Sequence, residues 1–366
     1  MDSTKPLRSV FDETAASLQE VLAGWSEPAY RADQVLDWVY QRDARSFEDM
    51  TNLPKALRLR LAGEMTIFSS KIVQKQRARD GTLKLLLCWP DGQTSECVYL
   101  PDEDRRTACI STQVGCPVGC VFCASGLGGL QRQLSSGQIV EQAMRVRELC
   151  SDGPRLSNLV FMGLGEPLAN YAASLQAIRT INAPWGMGIG ARKMTLSTVG
   201  LPTQMRRLAG EGLQITLALS LHAPNDELRR KLIPWAERVT LDELVDACRF
   251  YFDSTGREVT LEYILLREVN DSPDHAHELA RVCKRMRSNV NLIAYNPVAN
   301  LPYERPTEEA VTAFLEVLKS HAVNTHVRRS RGLDIDSACG QLRRRQADVL
   351  TPLGRPDNAT RTPAPP

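Results

Sequence analysis

The sequence predicts an α/β protein in which a helical region precedes a parallel β-sheet, either open or closed into a barrel. From residue 106 onward, β-rich segments alternate with helix-length stretches, which is the pattern of βα units. The 366 residues are 43% hydrophobic and 24% charged. This composition is typical of a globular chain and excludes a disordered or fibrous one. The chain is also long enough to bury a sizeable core.

Amphipathic spacing predicts a helical accessory domain over residues 1–75. Arg31–Arg42 has apolar residues at positions i, i+3, i+4, i+7 and i+8 of one helix. A shorter helix before it is expected to end at Gly24. A third helix follows, with Asn52 expected to cap it and Pro54 suited to an early helical position. This region either caps the next domain structurally or binds the substrate, and the pattern leaves both roles open.

The rest of the chain divides into a hairpin extension over residues 76–104 and a core domain over residues 105–345. In the extension, Thr82–Trp89 and Thr94–Leu100 flank a turn sequence. In the core, Gly137–Cys150 and Leu241–Phe252 are examples of helix-length segments between strands. The core strand candidates are Arg106–Thr112, Asn158–Met162, Lys193–Ser197, Gln214–Leu221, Glu258–Leu265, Asn289–Tyr295 and Thr325–Arg329. Residues 346–366 are rich in proline and predict a disordered tail.

The chain ends and the charge balance limit the possible settings. No apolar run approaches the length of a membrane span, and the amino terminus lacks the apolar region of a secretory signal. We therefore expect a cytoplasmic protein with no membrane partner. Ten cysteines in a reducing compartment are not expected to form a disulfide framework, so their spacing becomes informative. The formal charge of +2 neither indicates nor excludes a nucleic-acid partner.

Three cysteines lie in one glycine-containing loop after the first core strand. Cys116, Cys120 and Cys123 have the spacing C-x3-C-x2-C. Three thiolates on a short loop can bind three irons of a four-iron cluster and leave the fourth iron open. A zinc site would need a fourth ligand nearby, but the next candidates are Cys150 and His222. A thioredoxin-like pair would leave Cys116 unexplained, and ferredoxin spacings supply a fourth cysteine close by. The pattern favours an iron–sulfur cluster with an open site.

This C-x3-C-x-aromatic-C triad resembles the signature of radical S-adenosylmethionine (SAM) enzymes. Five further strings lie in order at the predicted strand ends: Met162–Leu168, Leu196–Gly200, Leu219–Ala223, Asn291–Pro297 and Arg328–Leu342. With the triad they resemble the RlmN/Cfr family of RNA adenine methyltransferases, and the resemblance covers about residues 29–342. It implies a radical SAM partial (β/α)6 barrel. It also implies one [4Fe-4S] cluster bound by the three cysteines, with SAM bound at the open iron.

The resemblance assigns reacting roles to three further residues. Cys339 would carry a methyl group taken from one SAM, and a 5′-deoxyadenosyl radical from a second SAM would remove a hydrogen from that methyl. The resulting methylene radical would add to the adenine. Cys109 would then resolve the covalent adduct through a transient disulfide with Cys339, and Glu96 would accept the proton. Taken alone, the two cysteines could be buried packing residues and the glutamate a solvated surface residue.

The resemblance also places SAM against residues at four strand ends. These residues are Gly165, Glu166, Ser197, Ser220, Leu221, His222 and Asn296. Each could otherwise be a turn or strand-end residue whose polar group bonds to the backbone. Five cysteines receive no role: Cys88, Cys97, Cys150, Cys248 and Cys283. Cys97 is expected to pack in the core, because neighbouring strand residues face opposite sides of a sheet.

The activity implied by the resemblance is methylation of carbon 2 of an adenine in 23S ribosomal RNA, together with the tRNA adenosine 3′ of the anticodon. Two alternatives stay open. One is methylation of carbon 8 of the same ribosomal adenine, the Cfr activity linked to antibiotic resistance. The other is a non-catalytic iron–sulfur redox protein. A low-potential electron donor such as flavodoxin or ferredoxin is expected as a partner, and the protein is expected to be a monomer.

Local charge supports an RNA partner more strongly than the total charge does. Arg328–Arg345 contains six arginines against two aspartates, beside Cys339. Arginines in this position can pair with phosphates and stack on bases. Arg105–Arg106 and Arg192–Lys193 are expected to extend this basic patch. A solvated charged face is the ordinary alternative for such a run.

Overall fold

The computed structural model describes residues 7–150 and 155–342. Its largest element is a ten-stranded sheet in which three antiparallel strands at one edge continue into seven parallel ones. In the described part of the chain, no helix is long and apolar enough to cross a membrane. The predicted arginines at 343–345 and the predicted tail at 346–366 lie outside the described residues.

The amino-terminal region consists of three helices closed by a two-stranded parallel sheet. Its elements are β1 (Arg8–Ser9), α1 (Ala15–Ala23), α2 (Tyr30–Tyr40), α3 (Lys55–Glu64) and β2 (Met65–Thr66). Gly24 lies at the end of α1, as predicted. The expected cap of α3 is wrong, since Pro54 holds the N-cap position and makes no side-chain bond there. Asn52 instead accepts a hydrogen bond from Trp38 Nε1, because its oxygen points across to α2.

The antiparallel part contains the predicted hairpin. Its strands are β3 (Lys71–Arg77), β4 (Leu83–Cys88) and β5 (Thr94–Pro101). β4 pairs with both β3 and β5, so it is covered on each side, whereas β3 is the exposed edge strand. β3 also runs across the expected boundary between residues 75 and 76.

β6 (Arg106–Cys109) pairs with β5 on one side and begins the parallel part on the other. A separate hairpin of β7 (Gln113–Gly115) and β8 (Leu130–Gln133) follows it. The remaining parallel strands are β9 (Asn158–Phe161), β10 (Met194–Thr198), β11 (Thr216–Ser220), β12 (Val259–Leu265), β13 (Ser288–Ala294) and β14 (Thr325–Arg328). All seven predicted core strands are present within a few residues of their expected ends. The predicted α/β class is confirmed, with β14 added beside the six strands of a partial barrel.

Within the described residues, seven helices connect the parallel strands. They are α4 (Ser136–Arg147), α5 (Tyr171–Asn182), α6 (Pro202–Ala209), α7 (Asp226–Leu232), α8 (Leu241–Thr255), α9 (Pro273–Cys283) and α10 (Glu308–Ser320). Five of them begin at a residue whose side-chain oxygen accepts a hydrogen bond from a backbone N–H of the first turn. That N–H has no hydrogen-bond partner within the helix itself. These cap residues are Ser135, Asn225, Thr240, Ser272 and Thr307.

The amino-terminal region packs directly on the barrel. Asp12 accepts hydrogen bonds from Ser136 Oγ at 2.9 Å and from Gly137 N at 2.5 Å, at the start of α4. Only glycine fits at residue 137, since a Cβ there would lie 2.6 Å from Asp12 Cγ. Apolar side chains of both regions also form one continuous core. The structural role expected for this region is therefore present, and it does not exclude a role in binding.

Candidate active site

The cysteine triad lies in the loop between β7 and β8. The loop is closed at its base, where Cys116 N donates to Gly129 O at 3.2 Å. Gly115 has φ +77°, and a Cβ there would lie 2.0 Å from Gly129 O, so glycine is required. Val118 and Phe122 anchor the loop in a second apolar cluster. The loop is thus held by packing and by backbone hydrogen bonds.

The three cysteines, Cys116, Cys120 and Cys123, line one cavity of about 160 Å³. Burial raises the pKa of Cys116 to about 12. Burial, followed by the neighbouring thiols, also raises the pKa of Cys120. Cations are therefore needed to hold these groups as thiolates. In the described residues, no three His, Cys, Asp or Glu side chains gather as they do around a single metal ion. Three thiols of one short loop that line a common cavity are the donor set of an iron–sulfur cluster with one open iron, so these residues fit such a cluster.

Glu166 lies beside the triad and is 3% exposed. Its carboxylate accepts Leu168 N at 2.9 Å and Val199 N at 2.7 Å. Burial raises the pKa of Glu166 to about 7, against the opposing effect of these hydrogen bonds. Gly165 has φ +105°, and a Cβ there would lie 2.6 Å from Gln113 Cβ. The segment is therefore a close-packed turn that presents one buried carboxyl group to the cavity.

The other expected SAM residues divide between the two sides of the site. Ser197 and Ser220 line the small cavity, and their hydroxyl oxygens lie 3.2 Å apart. His222 lines it too, accepts Ile264 N on Nδ1 at 3.1 Å, and is held neutral because burial lowers its pKa to about 3. The Leu221 side chain is buried in the core and lines neither cavity described here. Asn296 lines a larger cavity and donates to the Cys339 carbonyl at 3.4 Å.

That larger cavity has a volume of about 810 Å³ and shares Cys339 with the small cavity. Cys339 is exposed and lines both cavities, as do Met162, Ile293, Arg328 and Leu342. The segment that carries Cys339 rests on the cysteine loop. Ala124 N donates to Gly340 O at 2.8 Å, and Ser125 Oγ donates to Leu342 O at 2.9 Å. Cys339 therefore lies at the junction between the triad's cavity and a second space.

Cys109 and Cys339 line the larger cavity together and are both free thiols. Cys109 is 8% exposed, and burial, followed by the charge of Cys339, raises its pKa to about 12. Arg328 acts in the opposite sense on Cys109. Arg328 interacts electrostatically with both cysteines, since the negative charges of Cys339 and Cys109 raise the pKa of its guanidinium group. The structure thus brings the two predicted reacting cysteines to one space.

Among the charged side chains that line the larger cavity, basic ones outnumber acidic ones. The basic ones are Arg105, Lys193, His326, Arg328, Arg329 and Arg331, with Asp102 as an acidic neighbour. Arg331 pairs with Asp102 at 2.8 Å. Part of each predicted basic extension is therefore present here, since Arg105 and Lys193 line the cavity. Such a wall can neutralise phosphates.

Glu96 lies close to the Cys339 segment without lining either cavity described above. It is 5% exposed on β5, and its Oε1 lies 3.2 Å from Lys84 Nζ. Its neighbour Cys97 is wholly buried, which confirms the packing role expected for it. A solvated surface glutamate, the alternative left open by the sequence, is excluded by this burial.

Sequence reasoning missed two charged residues of the site. Lys84 is buried on β4 against Glu96. Glu262 is buried on β12, where it accepts Asn291 Nδ2 at 3.0 Å and pairs with Arg328 at 3.3 Å. Each is a charged residue in an otherwise apolar strand sequence. Charged residues are seldom buried without a partner, so this pattern is the signal by which the sequence could have identified them.

The chain matches two family models. The model of the ribosomal RNA large subunit methyltransferase N-terminal domain matches residues 9–67, and that of the radical SAM superfamily matches residues 110–280. A probable dual-specificity RNA methyltransferase RlmN from Thermosynechococcus vestitus is 47% identical over 333 residues, which are 91% of this chain and 97% of that protein. The protein of the same name from Geobacillus kaustophilus is 44% identical over 346 residues, 94% and 95% of the two chains.

The fold also matches a solved structure. A radical SAM methyltransferase from Sphaerobacter thermophilus is similar with a TM-score of 0.90 and 44% sequence identity. The match covers 92% of this chain and 99% of that one. The similarity therefore extends over both the amino-terminal helices and the barrel.

Proposed function

The chain belongs to the RlmN family of radical SAM RNA methyltransferases, and from that premise we propose that it methylates carbon 2 of an adenine in 23S ribosomal RNA and of the tRNA adenosine 3′ of the anticodon. The observation that carries this proposal is the position of Cys339. It lies between a cavity with three cysteines and a cavity with a basic wall. A thiol in that position can face a cofactor on one side and a nucleotide on the other.

The small cavity would hold the cofactors of the family, a [4Fe-4S] cluster and SAM. Cys116, Cys120 and Cys123 would bind the cluster. When bound, the cluster and SAM supply the 5′-deoxyadenosyl radical. Among the protein residues, the buried carboxylate of Glu166 would accept hydrogen bonds from the SAM amino group. The turn at Gly165 allows close backbone approach.

The remaining SAM contacts come from the neighbouring strand ends. The hydroxyl groups of Ser197 and Ser220 would bind the nucleoside or methionine portion of SAM, together with neutral His222 and Asn296. Leu221 would contribute through its backbone, since its side chain is buried.

Cys339 would carry the methyl group. Carbon 2 of adenine lies between two ring nitrogens and is electron-poor, so it cannot attack the methyl group of SAM directly. A thiolate can attack it, and Cys339 is exposed to both cavities. One SAM would therefore methylate Cys339, and a second would start the radical step that joins this methyl carbon to the base.

Cys109 would release the product. Its thiolate would attack the Cys339 sulfur, which forms a transient disulfide and breaks the bond from that sulfur to the methylene carbon. The electron pair of the broken bond would stay on the methylene carbon, which takes up a proton and becomes the methyl group of the released base. Both thiols line the same cavity, and neither is paired in this structure. Glu96 would accept the proton that the adenine loses from the methylated position.

The RNA would lie along the basic wall of the larger cavity. Arg105, Lys193, Arg329 and Arg331 can contact phosphates there. The target adenine would need to leave its stack to reach Cys339. The amino-terminal helices would strengthen RNA binding by recognising the shape of the folded RNA. We further propose that the protein acts as a cytoplasmic monomer and receives its electron from flavodoxin or ferredoxin.

The test is anaerobic turnover of the cluster-loaded protein with SAM and either ribosomal RNA or tRNA, followed by nucleoside mass spectrometry against standards. The proposal predicts 2-methyladenosine in both RNAs. A product of 8-methyladenosine would keep the chemistry but assign the Cfr activity. Accumulation of 5′-deoxyadenosine with no methylated nucleoside would contradict the RNA substrates. The redox-protein alternative is excluded, because the chain belongs to a family of enzymes.

A further inference from the structure

Lys84 and Glu96 form an ion pair inside the sheet. The two side chains are 9% and 7% exposed, and Lys84 Nζ lies 3.2 Å from Glu96 Oε1. In the antiparallel register of β4 and β5, Lys84 pairs with Val98 and Glu96 pairs with Leu86, so the two charged residues are diagonal neighbours on one face. A buried ammonium group needs partners for its hydrogen bonds, and this one has a second partner beyond the sheet.

The second partner is the segment that carries Cys339. Lys84 Nζ donates to the Asp336 carbonyl at 3.1 Å, across 252 positions of sequence. Asp336 lies three residues before Cys339 and has φ +50°. A non-glycine residue in the left-handed region is strained, and it persists only where its surroundings hold it. One ammonium group therefore contacts both the proposed base and the backbone leading to the proposed methyl carrier.

The turn between β3 and β4 holds the same segment at two more points. Asp80 Oδ2 accepts Gly332 N at 2.9 Å, and Arg79 N donates to Asp334 Oδ2 at 3.1 Å. The segment also closes on itself, since Ser337 Oγ donates to Gly332 O at 3.0 Å. These three hydrogen bonds hold the segment in place, and Glu96 takes part in none of them. The Lys84 side chain contacts both this segment, at the Asp336 carbonyl, and the Glu96 carboxylate.

We propose that Lys84 is a positioning residue that holds the Glu96 carboxylate against the Cys339 segment, so that the base reaches the RNA adduct formed on Cys339. This inference rests on the proposed function. Lys84 acts through these two contacts, one with the Glu96 carboxylate and one with the Asp336 carbonyl. Its removal slows proton removal from the adduct by about 10- to 100-fold, the effect of losing hydrogen bonds to a charged group.

The test compares resolution of the adduct in cluster-loaded variants under anaerobic turnover with SAM and ribosomal RNA. Lys84→Met is expected to accumulate the covalent RNA–protein species on a denaturing gel and to release methylated adenosine more slowly. Lys84→Arg, which keeps the charge and donors, is expected to restore part of the rate. Arg145→Met is the matched control, because it also removes one member of an ion pair with a buried carboxylate, that of Glu141, which accepts the backbone N–H groups of Ser69 and Ser70. It is expected to lower the melting temperature without accumulating the adduct.

A double-mutant cycle separates positioning from general stability. In a Glu96→Gln background, Lys84→Met is expected to change the resolution rate by less than about twofold, since the group that Lys84 positions is already disabled. An equal slowing in both backgrounds would overturn the inference, as would wild-type rates in Lys84→Met. If Lys84→Met loses its cluster, Lys84→Gln takes its place, and wild-type resolution by that variant overturns the inference too. If the wild-type protein releases no methylated adenosine, the proposed function fails; if it does and Lys84→Met matches it, only this inference fails.

Discussion

The two cavities that meet at Cys339 differ in charge and in construction. The small cavity is built from one loop and several strand ends, with a neutral His222 and with Glu166, whose pKa burial raises to about 7. The larger cavity has a wall of basic side chains, of which Lys193 and Arg329 form no ion pair with any described residue. One space thus suits a buried cofactor and the other suits a polyanion. The difference supports the proposal that the cofactors and the RNA use separate cavities that share Cys339.

The largest expected effect comes from a substitution that disables the small cavity and leaves the larger cavity unchanged. Cys116→Ala removes one of three sulfur donors from the small cavity, so the protein should lose its brown cluster absorption, its iron and all RNA methylation. RNA binding should stay within about twofold, because no residue of the basic wall has changed. Iron analysis, visible spectra and an RNA-binding titration check this. Cys248→Ala, at a buried cysteine of α8 outside the site, is the control and should keep its cluster. Full iron content in Cys116→Ala would contradict the ligand assignment.

The opposite change affects only the larger cavity. The double variant Lys193→Ala/Arg329→Ala should weaken RNA binding by about tenfold, and each lost phosphate contact should lower the slope of log affinity against log salt by about 1. SAM cleavage without RNA should be unchanged. Lys319→Ala, an exposed lysine on α10, is the control. An unchanged salt dependence in the double variant would show that RNA does not lie along this wall.

The small cavity should respond to pH through Glu166. Burial raises the pKa of this carboxyl group from 4.5 to about 7, so the group binds a proton as the pH falls below that value. The SAM amino group needs the carboxylate, and SAM binding to the cluster-loaded protein should therefore weaken about tenfold between pH 8 and pH 6. Glu166→Gln should bind SAM weakly at both pH values and flatten this dependence. Equal pH dependence in the variant would exclude Glu166 as its source.

The free energy of unfolding of the apoprotein should depend on pH in the direction set by the raised pKa of Glu166. Because the pKa of Glu166 is higher in the folded state, its contribution is fully present below pH 4.5 and is lost as the pH rises through about 7. Glu166→Gln should remove this loss. Denaturant unfolding at pH 5 and pH 8 measures it, and a larger pH effect in the variant than in the wild type would contradict the assignment.

The smallest effect concerns the junction itself. Gly340 has φ +83° with no atom within 4 Å of an added Cβ, so Gly340→Ala costs backbone strain alone. A strain of about 1 kcal/mol should slow methylation of Cys339 by about fivefold, measured by protein mass spectrometry. Gly92→Ala is the matched control, because Gly92 has φ +78° and equal free space in the turn between β4 and β5. Equal slowing in both variants would mean that the geometry at Cys339 is not what matters.

The parts of the site that are contiguous in sequence could be predicted, and the parts assembled by the sheet could not. Cys116, Cys120 and Cys123 lie within one loop, so their spacing alone indicated a shared ligand. The strands were predictable because period and β-branched content depend on local sequence. The contact of Lys84 with Glu96 and Asp336 depends on a hairpin register and on a segment 252 positions away. No local pattern encodes such a contact.

The same distinction explains the one wrong detail at the amino terminus. Asn52 is a good cap by residue type, but its amide oxygen bonds to Trp38, which a neighbouring helix brings near it. Local preference was overridden by a tertiary contact. The predicted domain boundaries and the roles of the site residues stay predictions.

The most direct test of the account is to trap the reaction at Cys339. The cluster-loaded Cys109→Ala variant reacts anaerobically with SAM and ribosomal RNA. The products are separated on a denaturing gel, and mass spectrometry identifies the peptide that is cross-linked to RNA. We predict a covalent RNA–protein species joined through the Cys339 sulfur, because its resolving partner is gone, and its absence in Cys109→Ala/Cys339→Ala. No covalent species, or one joined through another residue, would contradict the central claim that Cys339 links the two cavities chemically.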